Sequence, residues 1–303
     1  MKARVKVLFE EFFFRPSSGE VLSLLRVVVG TMMLIKGLFL FPHLEDLFGQ
    51  YGYLQAHLMS AIGGENFVSR LAKVGFTGQK FSIALHAFFL VHIFAAGFFA
   101  LGYQTKFANF VLWITQAAFF RLGWESVYGI DSYCHNLTFF MLWLPVGSHW
   151  SLDSRLSETK EVALSSYNTL GLRLLQIYLC LTYVDAGVSK AKGHDWWSEA
   201  IWEVLHLREF NHFSFLWMAW VPWLPKIMAW SVLFFESFYI LGVWIPRLGK
   251  YWVLVIISMH IGIAVTMGLV LFGLTLALVN ATLFLVPIRY GDRSAPTPSE
   301  SHI

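Results

Sequence analysis

Charged residues are scarce in this chain. Lys, Arg, Asp and Glu make up 14% of its 303 residues, while 57% are hydrophobic. Soluble domains carry about 25% charged and about 45–50% apolar residues. A chain so poor in charge cannot cover a water-facing surface of its own size, which excludes an ordinary soluble enzyme. The net charge is only +3, with no Lys/Arg face interleaved with aromatics, so no nucleic-acid partner is expected. Cysteine is almost missing. Cys134 and Cys180 both lie in apolar runs, make no disulfide framework and fit no zinc spacing. The sequence has no His-Glu-x-x-His motif and no Cys/His cluster. His86 and His92 stand six apart, not the four that would place both on one helix face, so no metal is expected. Internal repeats are also absent, which argues against a transporter built from repeated halves.

Long hydrophobic runs are what the sequence has instead. Mean hydropathy is +0.59, and aromatics reach 17% with 13 Trp, residues that favour headgroup depth. Crossing the hydrocarbon core takes about 20 helical residues. Windows of that kind fall at 21–41, 81–101, 107–121, 126–146, 170–189, 223–245, 251–271 and 272–288. The first is too long for a signal-peptide core and lacks a small-residue cleavage site, so it is expected to stay in the protein. The expected fold is an all-α polytopic transmembrane bundle of about eight spans, or seven if the last run breaks differently. The connections 43–80 and 191–222 do not read as spans. The first holds Gly63-Gly64 and a short amphipathic piece at 67–74, and the second Trp196, Trp197, Trp202, Trp217 and Trp220. Both are expected as interfacial or re-entrant helices on the outer side. Residues 1–20 then form a cytoplasmic segment, 21–288 one transmembrane domain and 289–303 a disordered polar tail.

Orientation follows from Lys and Arg in alternate loops. With the N-terminus inside, and Arg26 and Lys36 set aside as intramembrane, the inner loops hold twelve of them and the outer loops eight. Both termini are therefore expected in the cytoplasm, with Lys190 and the aromatic connections on the outer face.

A charge at membrane depth costs from about 3 to more than 10 kcal/mol, so such residues pair with one another or line a cavity. Lys36, one turn from its helix end, can snorkel. Arg26 lies deeper and is expected to pair with Glu236 or Asp185 in a structural polar network. Asn280 reads as an interhelical hydrogen bond. Asp185 and Lys190 stand five apart at the outer end of the fifth span, with Gly187 between them permitting close backbone approach. Lys190 either marks the headgroup boundary or, where partly desolvated, serves as a base. His135 is either a satisfied core histidine or part of such a site.

Several stretches, taken in order, resemble the HTTM domain family, whose best-known member is the vitamin K-dependent γ-glutamyl carboxylase. They are Leu24-Leu25-Arg26-Val27-Val28-Val29-Gly30; His135-Asn136-Leu137 with Pro145-Val146-Gly147 and Trp150-Ser151-Leu152-Asp153; Leu174-Leu175-Gln176-Ile177-Tyr178 with Ala186-Gly187-Val188-Ser189-Lys190, Gly193 and Trp196; and Glu236, Arg247, His260, Gly268 and Phe272. Together they span about 15–288. The resemblance implies Lys190 as the base that deprotonates vitamin K hydroquinone or another membrane quinol. His135 would support it, and His260 would lie in the same region. Trp196, Asn136 and Arg26 would help bind the cofactor, and O2 and CO2 would be consumed. Two positions depart from the pattern: Glu199 stands where glycine is common, and Asp185 where a neutral residue is, near enough in sequence to hold Lys190 charged. The chain also lacks the large lumenal portion that follows the helices of the animal carboxylase.

Two expectations for function follow. One is a bacterial inner-membrane enzyme that oxidises a quinol to drive carbanion chemistry or carboxylation on an exported peptide or protein. The other is a non-catalytic maturation or binding partner for a secreted peptide. The oligomeric state is not legible in the sequence.

Overall fold

The computed structural model describes residues 2–52, 74–122, 129–157, 164–207 and 213–291. Among the described residues every regular element is helical, as composition required. The described α-helices in chain order are α1 (Lys2–Phe14), α2 (Glu20–Leu40), α3 (Leu44–Phe48), α4 (Gln79–Leu101), α5 (Thr105–Leu122), α6 (Gly129–Trp143) and α7 (Leu152–Leu156), with short 3-10 turns at Phe41–His43, His194–Trp197 and Leu216–Trp220. The α-helices continue as α8 (Ser166–Lys192), α9 (Ala200–His206), α10 (Trp223–Ser237), α11 (Tyr239–Gly242), α12 (Gly249–Thr266) and α13 (Val270–Phe284). Local sequence sets many of the boundaries. Pro16 follows α1, Pro145 follows α6 and Pro222 precedes α10, each at a position where its missing N–H and fixed φ do least damage.

Three helical stretches are long and apolar enough to cross a membrane: Glu20–Phe48, Gln79–Leu101 and Gly249–Thr266. Val270–Phe284 is a shorter apolar helix. The other expected windows also hold helices, but shorter, more polar or interrupted ones. The window 223–245 breaks at Phe238, between α10 and α11. The amphipathic piece expected at 67–74 lies outside the described residues apart from Val74, as does the polar tail from 292. Arg289, Tyr290 and Gly291, assigned to that tail from sequence, are instead tied into the structure. Tyr290 bridges Ser17, the Ser18 N–H donates to the Arg289 carbonyl at 2.9 Å and the Gly291 N–H to the Pro16 carbonyl at 2.9 Å.

The chain divides into two compact units, Met1–Leu22 with Glu161–Ile303, and Ser23–Lys160. In the second, α4 packs on α5 and α5 on α6. Leu44, Phe48, Phe81, Leu85 and Phe89 form its apolar cluster. In the first, α8 packs on α1, α10, α11 and α13, and α12 on α13. Polarity is arranged inside out. Ile83 and Phe94 on α4 and Leu254 and Val265 on α12 are exposed, whereas Arg26, His92, Gln116, Glu236, His260 and Asn280 are buried. Soluble domains bury polar groups sparingly and water covers their charged surface.

Arg26 is fully buried, with 0% of its surface exposed. It was expected to pair with Glu236 or Asp185, but its donors go to main-chain carbonyls within Ser23–Lys160. Nε donates to Val146 (3.0 Å), Nη1 to Phe99 (3.0 Å) and Ala100 (2.9 Å), and Nη2 to His149 (3.3 Å) and Trp150 (2.7 Å). A guanidinium has five N–H groups, and each faces one of these five carbonyls. Two of the acceptors, Phe99 and Ala100, are carbonyls in the last turn of α4, where the i+4 donors of the helix run out; the Phe99 carbonyl also accepts from the Gly102 N–H at 3.1 Å. Gly102 closes α4 with φ +69°, and a Cβ there would lie 2.3 Å from Arg26 Nη1. Asp153 of the Trp-Ser-Leu-Asp stretch caps the next helix. It accepts from the Gln104 and Thr105 N–H groups at 2.8 Å and from Thr105 Oγ1 at 2.6 Å. Partial burial alone would raise its pKa, but these bonds and the charge of Arg26 outweigh burial and hold the carboxyl below its usual value.

Two outcomes follow. Arg26→Met strands several buried carbonyls at about 1–3 kcal/mol each, so unfolding in detergent should show a loss of about 3 kcal/mol or more, with Arg26→Lys intermediate. Asp153 has a depressed folded pKa, so its contribution is present above the unfolded pKa of about 3.9 and is lost as pH falls through the folded value. Thermal midpoints followed into acid should therefore fall less steeply for Asp153→Asn than for the parent.

Candidate functional site

The richest polar arrangement lies in the unit Met1–Leu22 with Glu161–Ile303 and is organised by one face of α8. Tyr183, Gly187 and Lys190 are spaced four and three apart, so they form one stripe along the helix. Each meets the chain at the break between α10 and α11. A Cβ on Gly187 would lie 2.5 Å from the Ser237 backbone nitrogen, so only glycine permits this approach. One turn along, Lys190 Nζ forms an ion pair with Glu236 Oε2. One turn the other way, the rings of Tyr183 and Tyr239 pack with centroids 4.5 Å apart. Ser237 is thus flanked by Glu236 and Tyr239, each facing its counterpart on α8.

The ion pair is unevenly exposed: the Glu236 side chain is 5% exposed and that of Lys190 25%. The Lys190 ammonium also stands 5.3 Å from the centroid of the Trp196 ring. That is within the reach of a cation–π interaction. The sequence named Asp185 as a group able to hold Lys190 charged. Asp185 is exposed, and Glu236 takes that place.

Next to the pair runs a buried hydrogen-bond chain. Tyr239 donates to Asn280 Oδ1 (2.5 Å), and Asn280 Nδ2 donates to Tyr183 Oη (2.7 Å) and to the Leu276 carbonyl (2.7 Å). Tyr183 Oη meets His260 Nε2 at 2.8 Å. Asn280 therefore makes the interhelical bonds expected of it. His260 is 3% exposed, and its Nδ1 is buried without a hydrogen-bond partner. Gly273 brings α13 so close that a Cβ there would lie 2.3 Å from the His260 carbonyl oxygen.

His135 and Asn136 belong to the other unit. His135 is half-buried, stacks on Trp113 at 5.4 Å with an interplanar angle of 7°, and has Phe120 edge-on at 5.2 Å. Asn136 is exposed. That unit also holds a second lysine–carboxylate pair, Lys36 with Asp131. Lys36 was expected to snorkel, and Asp131, inside the expected window 126–146, was not singled out from the sequence. His92, also buried there, bonds Thr115 Oγ1 through Nδ1 at 2.8 Å. Tyr183 and Tyr239 were missed for a different reason. Tyrosine is common in apolar helices, and only the seven-residue spacing from Tyr183 to Lys190 hinted that they share a face.

Among the described residues no group of three His, Cys, Asp or Glu is placed to hold a metal. Comparisons with family models, curated proteins and solved structures found no match to this chain.

The Gly187–Ser237 contact should be the least tolerant point of the site. Gly187→Ala forces a methyl against backbone, an overpacking that costs about 1–3 kcal/mol. Its thermal midpoint should drop, whereas an alanine at Gly262, which has open space around it, should leave the midpoint unchanged.

Proposed function

We propose that this chain is a polytopic membrane enzyme, resembling HTTM-domain carboxylases, that uses Lys190 as the base toward a quinol-type cofactor. The membrane reading draws support from three helices of spanning length and from the outward apolar and inward polar arrangement. In this reading eight spans cross the bacterial inner membrane, with both termini in the cytoplasm and Lys190 on the outer side, toward an exported peptide or protein substrate.

One observation carries the chemical reading: the Lys190–Glu236 pair, with its carboxylate almost fully buried and an indole face beside its ammonium. A neutral amine is the base, so an ion pair looks at first like the wrong state. An ion pair and a neutral pair differ only by one proton shifted along the shared hydrogen bond, so the lysine presents a neutral amine when that proton moves to Glu236. Glu236 then acts as the reservoir for that proton and holds the amine in place. The residues fit a quinol head: a flat apolar face at Trp196, a base at Lys190 and a buried nitrogen without a partner at His260. When bound, the quinol would supply the reducing equivalents for O2 and the strong base that lets CO2 add to a substrate carbanion. Lys190 takes up the proton, Glu236 keeps the lysine aligned, and the low polarity of the surroundings keeps water from quenching the product. His135 stays in the proposal as a supporting histidine, and Asn136 as a polar contact for the cofactor.

A second reading is favoured by a separate observation. Trp197, Trp217, Trp220, Trp223 and Trp230 are all exposed. Such a surface suits a non-catalytic partner that holds a secreted peptide, as well as a headgroup belt.

The test is quinol oxidation by the protein purified into nanodiscs. General-base catalysis contributes about 10²–10⁴-fold, so Lys190→Ala should lose about that factor, and Glu236→Gln a smaller one. Oxidation that Lys190→Ala leaves untouched would end the base reading. A wild-type protein with no oxidase activity that still retains an exported peptide would favour the second.

A further inference from the structure

Three histidines on helices offer a comparison within the chain. His86 satisfies Nδ1 on the Ser82 carbonyl at 2.9 Å, and His206 on the Trp202 carbonyl at 2.7 Å, each one turn back. His260 does not. Its ring is turned the other way, with Nε2 held by Tyr183, and Phe272 stands edge-on at a centroid distance of 5.6 Å. Nδ1 is left buried and unpartnered.

The neighbouring bonds decide which nitrogen carries the proton. The Leu276 carbonyl can only accept, so the Asn280 atom facing it is the amide NH2, and Asn280 Oδ1 faces Tyr239. The same NH2 donates to Tyr183 Oη. The Tyr183 hydroxyl, already accepting, has its own hydrogen free for His260 Nε2. If Nε2 carried the hydrogen instead, the buried Tyr183 hydroxyl would be a donor with no acceptor. Nε2 therefore accepts, and the single imidazole hydrogen sits on Nδ1.

We infer that His260 is a hydrogen-bond donor to an acceptor oxygen of a bound ligand, its Nδ1–H tautomer fixed by Leu276, Asn280 and Tyr183. This deepens the reading of the unit as a small-molecule site, but it does not require Lys190 to be a base. Lys190 lies on the α8 face that carries Tyr183, the residue that holds Nε2. An oxygen bound at Nδ1 would meet an N–H donor. A carbonyl or a carboxylate oxygen can accept from it. A group that can only donate would be refused.

The test is nitrogen NMR on isotopically labelled histidine in the full-length protein in nanodiscs, with the His260 signal identified by its loss in His260→Gln. The expected result is a neutral imidazole protonated at Nδ1. Adding menadione, a quinone that offers only carbonyl acceptors, should shift that Nδ1–H signal; acetate in a parallel sample asks whether a carboxylate does so instead. A shift with either supports the donor role and distinguishes the two sources. Asn280→Leu should spread the proton between both nitrogens, and His260→Gln should weaken binding of the effective probe about tenfold, as loss of one hydrogen bond worth about 1.4 kcal/mol does. An Nε2–H tautomer in the wild type overturns the inference. So does an Nδ1–H signal that responds to neither probe, as a nitrogen satisfied by a buried water would. Lys190→Ala separates this from the base reading: the tautomer and the probe response should persist in that variant even where oxidation is lost.

Discussion

A polar side chain buried among these apolar helices needs a hydrogen-bond or charge partner, and how completely it finds one orders the rest of the structure. Arg26 and Lys190 are the two contrasting cases. Arg26 meets five carbonyls with five N–H groups and is spent entirely on holding the end of α4 to the segment 146–150. Lys190 meets one carboxylate and one indole face. Complete satisfaction makes scaffold. Incomplete satisfaction leaves capacity for something else, and in the unit Met1–Leu22 with Glu161–Ile303 the buried Nδ1 of His260 has such capacity, as do Arg15 Nε and His206 Nε2.

Glycine makes both arrangements reachable. Gly30 lies one turn beyond Arg26, and a Cβ there would sit 2.8 Å from the Ala100 backbone. That proximity is what brings the carbonyls of Phe99 and Ala100 within reach of a side chain rooted on α2. Gly187 does the same for α8, setting Lys190 against Glu236 and Tyr183 against Tyr239. Without water to drive apolar faces together, small residues and interhelical hydrogen bonds are the main sources of helix association. The glycines are therefore as much a part of the site as the groups that titrate.

The class of fold was legible because it depends on sums. Scarce charge and long apolar windows average over many residues, and the helices lie where those windows fall. Partner choice was not legible, because it depends on single contacts between segments far apart in the chain. Arg26 was matched to a carboxylate on the sound ground that buried cations seek anions, yet five carbonyl dipoles serve as well, and nothing in the sequence advertises spare acceptor capacity at the end of α4. Asp185 was matched to Lys190 for being near in sequence. Five residues on a helix put the two side chains about 140° apart, as 3.6 residues per turn dictates, so Glu236 on another helix was the better-placed anion. Hydropathy was equally blind to the break at Phe238, because the apolar residues of the window 223–245 average out the two polar ones beside it, Glu236 and Ser237.

The division of work between Lys190 and His260 follows from the chemistry proposed for the site. A base that removes a proton from a hydroxylated ring leaves negative charge on oxygen, and in a water-poor pocket that charge is costly unless donors already point at it. One group cannot both take the proton and stay a neutral donor throughout. Lys190, paired with a carboxylate that can share its proton, is suited to the first task. His260 is suited to the second. Its Nε2 is occupied by Tyr183, so the ring has no lone pair to offer a substrate proton, and its only outward group is an N–H. The residues Tyr183, Asn280 and Tyr239 then serve less as a route for protons than as a lock on one tautomer, and the Leu276 carbonyl, a backbone group with no chemistry of its own, is where that lock is anchored.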